Sequence, residues 1–364
     1  MDVAILGAGI SGLSCAITLE KQGVSPVIFE KRSCVGDRFV NAEAMFSILN
    51  RPIKDCIVYL AEEHHIHLNP IDEVTKLVLH SKNKTSTIDG KIGYTNVRGR
   101  REDSFECQLA RQVKSEIQYH STIDYDEVAK NFQSAVLATG DAQYALQLNN
   151  YRSDVTCSIK GATVEGAFST NTPHVWFNYE IMPKGYAWLI PYSDKEANLV
   201  IAYPDCPQAR IYDINKMWAL FFDIACRDLQ QSLKITDRFQ ITNYMMGICE
   251  HPKIAETYFV GNCFGALSPG LGFGQFASIL TGIYAAQDIC GIGQYSELVK
   301  PLFENYNHSI VLRRFLERMD DTDFDIVVKS GNLKLLDSLI SHIFSSGSDF
   351  DLLKWLTPIM SIIK

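Results

Sequence analysis

The stretch that decides the fold is residues 3–30, VAILGAGISGLSCAITLEKQGVSPVIFE. Its first four residues are apolar and long enough for one buried strand, and the next six, GAGISG, have the spacing G-x-G-x-x-G. A helix is predicted to follow, because Leu13, Ala16 and Ile17 fall on one face and Gly23 is positioned to end it. The apolar run VIF then predicts a second strand. The order of strand, glycine turn, helix and strand predicts a βαβ unit.

The glycines and the start of the helix have the chemistry of a dinucleotide site. Gly7 permits the tight turn out of the strand, Gly9 lets a diphosphate approach the backbone, and Gly12 lets the helix pack closely on the sheet. The backbone amides of Ile10 and Ser11, at the positive end of the helix dipole, are placed to bind the diphosphate.

Charged residues follow the second strand. Glu30 lies 18 residues after Gly12, where a carboxylate can accept hydrogen bonds from a ribose. The loop that begins at Lys31 adds positive charge, and Arg38 is predicted to contact a phosphate, with a solvent-exposed arginine as the alternative. Together these features predict a dinucleotide site rather than a plain βαβ unit with a glycine turn.

Composition excludes several classes of protein. A length of 364 residues predicts about two domains, and a net charge of −8 argues against a general nucleic-acid binder. The ten cysteines include no C-x-x-C pair, so no metal site is predicted, and reduced thiols in the cytoplasm are the simplest interpretation. The chain enters a strand at Val3, so no signal peptide is expected, and no apolar run is long enough to span a membrane.

The remainder of the first 150 residues contains further predicted elements. Lys76–His80 and Lys84–Ile88 predict an antiparallel hairpin. Arg98 and Gly99 lead into a predicted helix over residues 102–114. Residues 134–138 form another apolar strand, and Thr139 and Gly140 at its end bring the backbone close to a bulky group such as a nucleotide.

The pattern changes to an alternation of period two from Asp154 to about Met246, which predicts a second, largely antiparallel sheet. Inside it lies the run PKGYAWLIP, residues 183–191. Alternation places Tyr186 and Trp188 on one face, where two aromatic rings can form the wall of a ligand pocket. From the pattern alone, ordinary core packing of the two rings is the better explanation.

The chain is then predicted to return to the first domain. A strand at 258–260 ends in Gly261 and Asn262, and a second glycine-rich turn, residues 270–274, precedes a helix over residues 275–289. We therefore predict a dinucleotide-binding domain from residues 1–150 and 250–293, an antiparallel-sheet substrate domain over 151–249, and a C-terminal helical segment over 294–364.

The combination of these motifs resembles the geranylgeranyl reductase family of FAD-dependent oxidoreductases, within the p-hydroxybenzoate hydroxylase-like fold. The resemblance covers nearly the whole chain. The substrate-domain motif of that family, P-x-x-Y-x-W-x-F-P, is matched at Pro183, Tyr186, Trp188 and Pro191, with Ile190 in place of Phe. The fold class implied is α/β, with a Rossmann-like FAD-binding domain, an α+β substrate domain built on an antiparallel sheet, and C-terminal helices.

The resemblance also implies roles for residues. Tyr186 and Trp188 would line an apolar pocket that holds a prenyl chain against the flavin. The residue pair Gly261 and Asn262 would bind the ribityl chain, and the residues that follow would meet the isoalloxazine ring, namely Gly270, Gly272, Phe273 and Gly274.

The sequence departs from the family at three points. Asn262 stands where the family has Asp, and Thr139 stands within Ala-Thr-Gly where relatives have Ala-Asp-Gly. Some members carry a cysteine soon after the Lys31–Arg38 loop, and this chain has none there, because Cys34 falls too early. These departures affect the expected reaction more than the expected cofactor.

The predicted function is reduction of C=C bonds in a hydrophobic, isoprenoid-like substrate by hydride transfer from reduced FAD. Either NAD(P)H or a small redox protein would supply the electrons, and the proton would come from Tyr186, a water or Glu43. A flavin monooxygenase acting on an aromatic substrate is one alternative, and a prenyl-binding escort protein without redox chemistry is another. The substrate could be a lipid, which would require at most peripheral contact with a membrane.

Overall fold

A computed structural model describes residues 2–50, 52–210 and 213–330 of the chain. Its strands, in chain order, are β1 (Val3–Leu6), β2 (Val27–Phe29), β3 (Asn41–Phe46), β4 (Asp72–His80), β5 (Thr85–Arg98), β6 (Ile117–Gln118), β7 (Ser134–Leu137), β8 (Arg152–Glu165), β9 (His174–Trp176), β10 (Tyr186–Pro191), β11 (Glu196–Pro204), β12 (Lys234–Ile248), β13 (Lys253–Ile254) and β14 (Thr257–Phe259).

The helices of the same residues are α1 (Ile10–Lys21), α2 (Cys56–His64), α3 (Phe105–Ala110), α4 (Tyr125–Asn131), α5 (Gln143–Gln147), α6 (Pro207–Arg210), α7 (Ile214–Asp228), α8 (Gln275–Ile289), α9 (Tyr295–Leu298), α10 (Lys300–Leu316) and α11 (Asp321–Ser330). None of them is long and apolar enough to cross a membrane.

The first sheet has the order β13-β14-β7-β1-β2-β6. Its strands are parallel except for β13 at the edge, and β1 lies at the centre with Ala4 opposite Val27 on one side and Ala135 on the other. All four residues of β1 are buried, as expected for a parallel sheet that is covered on both faces. This is the predicted Rossmann-like sheet, completed by β14 from the second half of the chain.

The second sheet has eight strands in the order β12-β8-β11-β10-β9-β4-β5-β3. It is antiparallel except between β4 and β9, which are parallel. One face packs on α7, through a core that includes Leu189, Leu199 and Phe221. The antiparallel sheet predicted over residues 151–249 is thus present, and the fold class expected from the sequence is confirmed.

Three strands extend this second sheet beyond the predicted segment. We expected residues 1–150 to belong to the first domain, but β3, β4 and β5 pair within the second sheet. The predicted hairpin is confirmed as β4 and β5, and both strands are longer than the periodicity indicated. The sequence pattern could identify the two strands of the hairpin. Their assignment to a sheet depends on the pairing of β4 with the distant strand β9, in which Val78 lies opposite His174.

The predicted helix over residues 102–114 is shorter in the structure. Ser104 caps α3 by accepting a hydrogen bond from the Cys107 amide, and the helix ends at Ala110. Beyond it, the amides of Lys114 and Ser115 donate to the Glu20 carboxylate, an interaction that a continued helix would not allow. The C-terminal segment is helical as far as it is described, and the part of the predicted helical segment beyond residue 330 lies outside the described residues.

Close packing of α1 against α8 joins the two ends of the first domain. Gly282 of α8 faces the backbone of α1, and a Cβ atom built on it would lie 2.1 Å from the Ser11 carbonyl oxygen. A Cβ atom on Gly12 would lie 2.1 Å from the Gly7 carbonyl oxygen and 3.1 Å from Ile5 on the sheet. Only glycine fits at either position, so these residues fix the helix–helix and helix–sheet distances.

Candidate functional site: a dinucleotide crevice beside an apolar pocket

A crevice of about 460 Å³ opens at the carboxyl ends of the strands of the first sheet. The structure brings most of the predicted cofactor-binding residues together around it, namely Gly7, Gly9, Ile10, Ser11, Glu30, Lys31, Arg38, Arg98, Thr139, Gly140, Gly261, Asn262 and Gly274. These residues come from both halves of the first domain. The crevice is therefore complete only when the strand β14 and the helix α8 are in place.

The first glycine turn has the geometry that a diphosphate requires. Gly7 has φ = 111°, and a Cβ atom there would lie 2.3 Å from the Ala138 carbonyl oxygen. Gly9 is the N-cap of α1, and no side chain caps the helix. A Cβ atom on Gly9 would meet only the Ala138 oxygen, at 4.0 Å, so the space in front of the helix amides is open. Gly12 does not line the crevice, since it is buried in the packing of α1 on the sheet.

The Glu30 carboxylate is held at the edge of the crevice by the backbone. Its Oε2 accepts a hydrogen bond from the Ala8 amide at 2.9 Å, and its Oε1 accepts one from the Arg32 amide at 2.9 Å. The side chain is thereby fixed beside the glycine turn. Each carboxylate oxygen can accept a further bond, such as one from a ribose hydroxyl.

A network of four charged groups lies under the crevice. Arg98 donates to Glu106 at 2.9 Å and to Glu43 at 3.1 Å, and Arg38 lies 3.5 Å from Glu106 and 3.9 Å from Glu43. Burial would raise the pKa of Glu106, but the guanidinium groups of Arg98 and Arg38 hold it below its usual value. Burial opposes the charge of Arg98, and the two carboxylates keep its pKa above the usual value.

This network modifies the roles predicted for the two arginines. Both line the crevice, yet each is already paired with carboxylates, so neither presents an unpaired charge to a phosphate. Sequence patterns did not single out Glu106, although its position in the first turn of α3, shortly after the Arg98–Gly99 pair, is a usable signal. Glu43, one of the proposed proton donors, is held in ion pairs with Arg98 and Arg38.

A second, mostly apolar pocket of about 220 Å³ adjoins the crevice. Tyr186 and Trp188 line it from β10, with ring centroids 5.4 Å apart, so the prediction that they share a face is confirmed. The Tyr186 hydroxyl donates to the backbone carbonyl of Leu271. The remaining apolar lining includes Leu77, Val155, Ile159, Val175, Ile190, Phe239 and Met246.

The second glycine turn divides between the two cavities. Gly274 lines the crevice, whereas Gly270, Gly272 and Phe273 line the apolar pocket. Gly272 has φ = 72°, and a Cβ atom there would lie 3.4 Å from the Tyr186 hydroxyl. The turn thus lies where the two cavities meet.

The two cavities share one wall, formed by residues that line both. Its members are Arg38, Phe39, Glu43, Ile241, Tyr244 and Leu267. Phe39 stacks on Phe239 with ring centroids 4.4 Å apart. No local pattern singled out Phe39 or Tyr244, because their importance arises from contacts between segments that are distant in the chain.

Asn262 joins the crevice to this wall. Its Nδ2 donates to the Gly140 carbonyl at 2.9 Å and to the Tyr244 hydroxyl at 2.8 Å. Nearby, the Thr139 hydroxyl contacts Asp141 and the Cys263 thiol. Both bonds use the amide nitrogen, so the Asn262 Oδ1 can accept a hydrogen bond from a hydroxyl group in the crevice.

The residues around the crevice fit an adenine dinucleotide. The uncapped amides at the start of α1 can bind a diphosphate, Glu30 can bind a ribose, and the open space at Gly9 allows close approach of the backbone. The crevice leads to the shared wall and the apolar pocket, where a redox-active ring could meet an apolar substrate.

Comparisons with known proteins agree with this geometry. Residues 5–44 match the NAD(P)-binding Rossmann-like domain family. A flavin-containing amine oxidase of Oncorhynchus mykiss is 34% identical over 98 residues, and a flavin-containing amine oxidase B of Canis lupus familiaris is 32% identical over 96 residues. The match covers 25% of this chain and 19% of the first of these enzymes. The similarity is therefore limited to a small part of the length of these relatives.

Solved structures match over nearly the whole chain. A geranylgeranyl bacteriochlorophyll reductase-like protein from Thermoplasma acidophilum has a TM-score of 0.69 at 15% identity, covering 98% of each chain. The flavin-dependent brominase Bmp2 has a TM-score of 0.67 at 16% identity, covering 99% of this chain and 98% of its own. Aklavinone-11 hydroxylase, solved with FAD and aklavinone, has a TM-score of 0.55 at 14% identity, covering 86% and 66%.

These likenesses establish the fold. The chain has the two-sheet architecture of a reductase-like protein, a flavin-dependent brominase and a hydroxylase solved with FAD, and its residues 5–44 match a Rossmann-like domain family. Proteins with this fold differ in reaction and substrate, so the chemistry of this chain has to be argued from its own residues.

Proposed function

We propose that the protein is an FAD-dependent oxidoreductase that reduces C=C bonds of a hydrophobic, isoprenoid-like substrate. The observation that carries the proposal is the shared wall between a dinucleotide crevice and a mostly apolar pocket. Such an arrangement suits a cofactor whose ring must meet a substrate that has little polar surface.

The protein groups that would hold FAD are those of the crevice. The amides of Ile10 and Ser11 would bind the diphosphate, Glu30 the adenosine ribose, and Asn262 the ribityl hydroxyls. Bound FAD would supply hydride transfer, and the protein would supply position, exclusion of water and the local charge. Two arginines and two carboxylates pair beside the crevice, so this network adds no net charge next to the cofactor.

The apolar pocket would hold the substrate. Tyr186 and Trp188 present ring faces and edges to it, and its aliphatic lining favours a hydrocarbon chain over a polar metabolite. Either NAD(P)H or a small redox protein would supply electrons by transient docking. A lipid substrate would require at most peripheral contact with a membrane, and cytoplasmic location remains our expectation.

A flavin monooxygenase of an aromatic substrate is the second proposal. Aromatic rings on the pocket wall suit a planar substrate as well as a prenyl chain, and a hydroxylase and a brominase share the fold. The two proposals differ in their use of oxygen. Reduction of a C=C bond proceeds without oxygen, whereas hydroxylation or halogenation consumes it.

The decisive experiment begins with the colour and mass of the purified protein. We expect flavin absorbance near one equivalent and release of FAD on denaturation. The loaded protein is then incubated with dithionite and a polyprenyl substrate without oxygen, and products are identified by mass spectrometry. A gain of two mass units supports reduction; an oxygenated product formed only in air supports the monooxygenase. A colourless protein that takes up no FAD yet binds the prenyl chain would instead support an escort protein.

A further inference from the structure

We infer that Tyr244 is the residue that recognises an oxygen atom of the substrate, and that Asn262 positions it for this task. The inference rests on the proposed function and specifies its substrate class: a hydrophobic molecule that carries a carbonyl oxygen next to the C=C bond. Three features of the wall between the two cavities support this inference.

The contacts of the Asn262 side chain determine which way its amide group is oriented. One amide atom of Asn262 contacts both the Gly140 carbonyl oxygen, at 2.9 Å, and the Tyr244 hydroxyl, at 2.8 Å. A carbonyl oxygen can only accept hydrogen bonds, so the atom that faces it has to be the nitrogen. The same nitrogen therefore donates to the Tyr244 oxygen as well.

The Tyr244 hydroxyl has a single hydrogen to donate. Because the Tyr244 oxygen accepts a bond from Asn262, its own hydrogen has to point elsewhere. No acceptor for this hydrogen is found among the residues that the structure describes. Asn262 lines the crevice but not the apolar pocket, whereas Tyr244 lines both. Because Tyr244 lines both cavities, a hydrogen directed away from Asn262 can point into the apolar pocket.

The other tyrosine hydroxyls of the pocket and the charged groups of the shared wall are less suited to this task. The Tyr186 hydroxyl donates to the Leu271 carbonyl, and Arg38 and Glu43 are engaged in the ion-pair network. The Tyr203 ring packs into the core on the opposite face of the sheet. Among the tyrosine hydroxyls that line the pocket, Tyr244 is therefore the one that can donate a hydrogen bond into this apolar space.

The charge state of Tyr244 is compatible with a role as a donor. Burial raises its pKa to about 12, and the nearby Arg38 and Arg98 oppose this rise. The hydroxyl thus keeps its hydrogen at neutral pH. A hydrogen bond to a conjugated carbonyl would draw electrons from the C=C bond and favour addition of a hydride from reduced FAD at its far carbon. A proton from water would then complete the reduction at the carbon next to the carbonyl.

The test uses the full-length protein loaded with FAD and the apolar enone β-ionone, labelled with ¹³C at its carbonyl. Isotope-edited infrared difference spectroscopy measures the C=O stretching frequency of the bound probe. We expect a lower frequency in the wild-type protein than in hexane, and a return to the hexane value in Tyr244→Phe. The affinity of that variant for β-ionone should fall about two- to tenfold, as expected for one neutral hydrogen bond.

Two further variants complete the test. Tyr186→Phe is the matched control, because its hydroxyl is bound to the backbone, and the frequency should stay at the wild-type value. In Asn262→Asp the carboxylate accepts the Tyr244 hydrogen instead of donating to its oxygen, so the frequency should return towards the hexane value. If Tyr244→Phe fails to fold, Asn262→Asp still tests the inference.

The outcomes separate the inference from the proposed function. An equal carbonyl frequency in the wild-type protein and in Tyr244→Phe would overturn the inference while leaving the pocket intact. Failure of the wild-type protein to bind β-ionone, with FAD present, would contradict the proposed hydrophobic substrate and remove the basis of the inference. Failure to bind FAD itself would contradict the proposed function at its first step.

Discussion

Replacement of Gly9 by alanine should separate cofactor binding from folding. Gly9 has φ = −85° and ψ = −178°, a conformation open to alanine. A Cβ atom there would meet only the Ala138 oxygen, at 4.0 Å. We therefore expect the stability of the cofactor-free protein to change by less than about 0.5 kcal/mol. The added methyl group would occupy the space through which a diphosphate approaches the helix amides.

The loss of affinity can be estimated from the bonds that the methyl group would disturb. A hydrogen bond to a charged group contributes about 1.5–3 kcal/mol. Displacement of one such bond between an amide of α1 and the diphosphate should weaken FAD binding by roughly 10- to 150-fold. Quenching of flavin fluorescence measures the affinity, and urea unfolding of the cofactor-free protein measures the stability.

Gly12→Ala is the matched comparison. A Cβ atom at Gly12 would lie 2.1 Å from the Gly7 carbonyl oxygen, so this variant should lose roughly 1–3 kcal/mol or more of stability from overpacking. An exposed helical glycine would instead gain stability on replacement by alanine. Wild-type FAD affinity in Gly9→Ala, or wild-type stability in Gly12→Ala, would refute our account of the turn.

Three other substitutions test the pocket, the ion network and the second sheet. Trp188→Ala should weaken binding of a long apolar ligand by ~1–3 kcal/mol through loss of buried aromatic surface, as measured by calorimetry, and an unchanged affinity would remove Trp188 from the pocket. Glu106→Gln should destabilise the protein by about 3 kcal/mol or more, because the buried Arg98 loses its main partner; urea unfolding measures this, and a neutral effect would contradict the network. Burial lowers the pKa of His174 from 6.5 to about 4, so the unfolded chain binds the proton first on acidification, and stability should fall by about 1–2 kcal/mol from pH 8 to pH 5. His174→Gln should show a shallower dependence on pH, and a dependence equal to that of the wild-type protein would contradict this account.

The first βα unit could be predicted from the sequence because its determinants are local. The strand, the glycine turn, the helix and Glu30 follow one another within residues 3–30, and each requirement falls on a particular residue type. The structure places β1, α1 and β2 where the pattern indicated. The placement of Tyr186 and Trp188 on one face could be predicted for the same reason, because alternation within a strand depends only on neighbouring residues.

The parts that could not be predicted depend on pairing between distant segments. Nothing in the local pattern of β3 to β5 shows which sheet they join, since an antiparallel hairpin can extend either one. The hydrogen bond from Asn262 to Tyr244 joins a loop of the first domain to a strand of the second sheet. Glu106 becomes important only because Arg98 and Arg38 converge on it.

The close contact of Gly282 with the backbone of Ser11 has a consequence for biosynthesis. The ribosome releases the glycine turn at residues 7–12 long before it releases α8, which supplies the opposite side of the same crevice. During most of translation the nascent chain therefore offers only half of a nucleotide site. Cofactor capture should be a late event, coupled to the long-range closure that brings the two segments together.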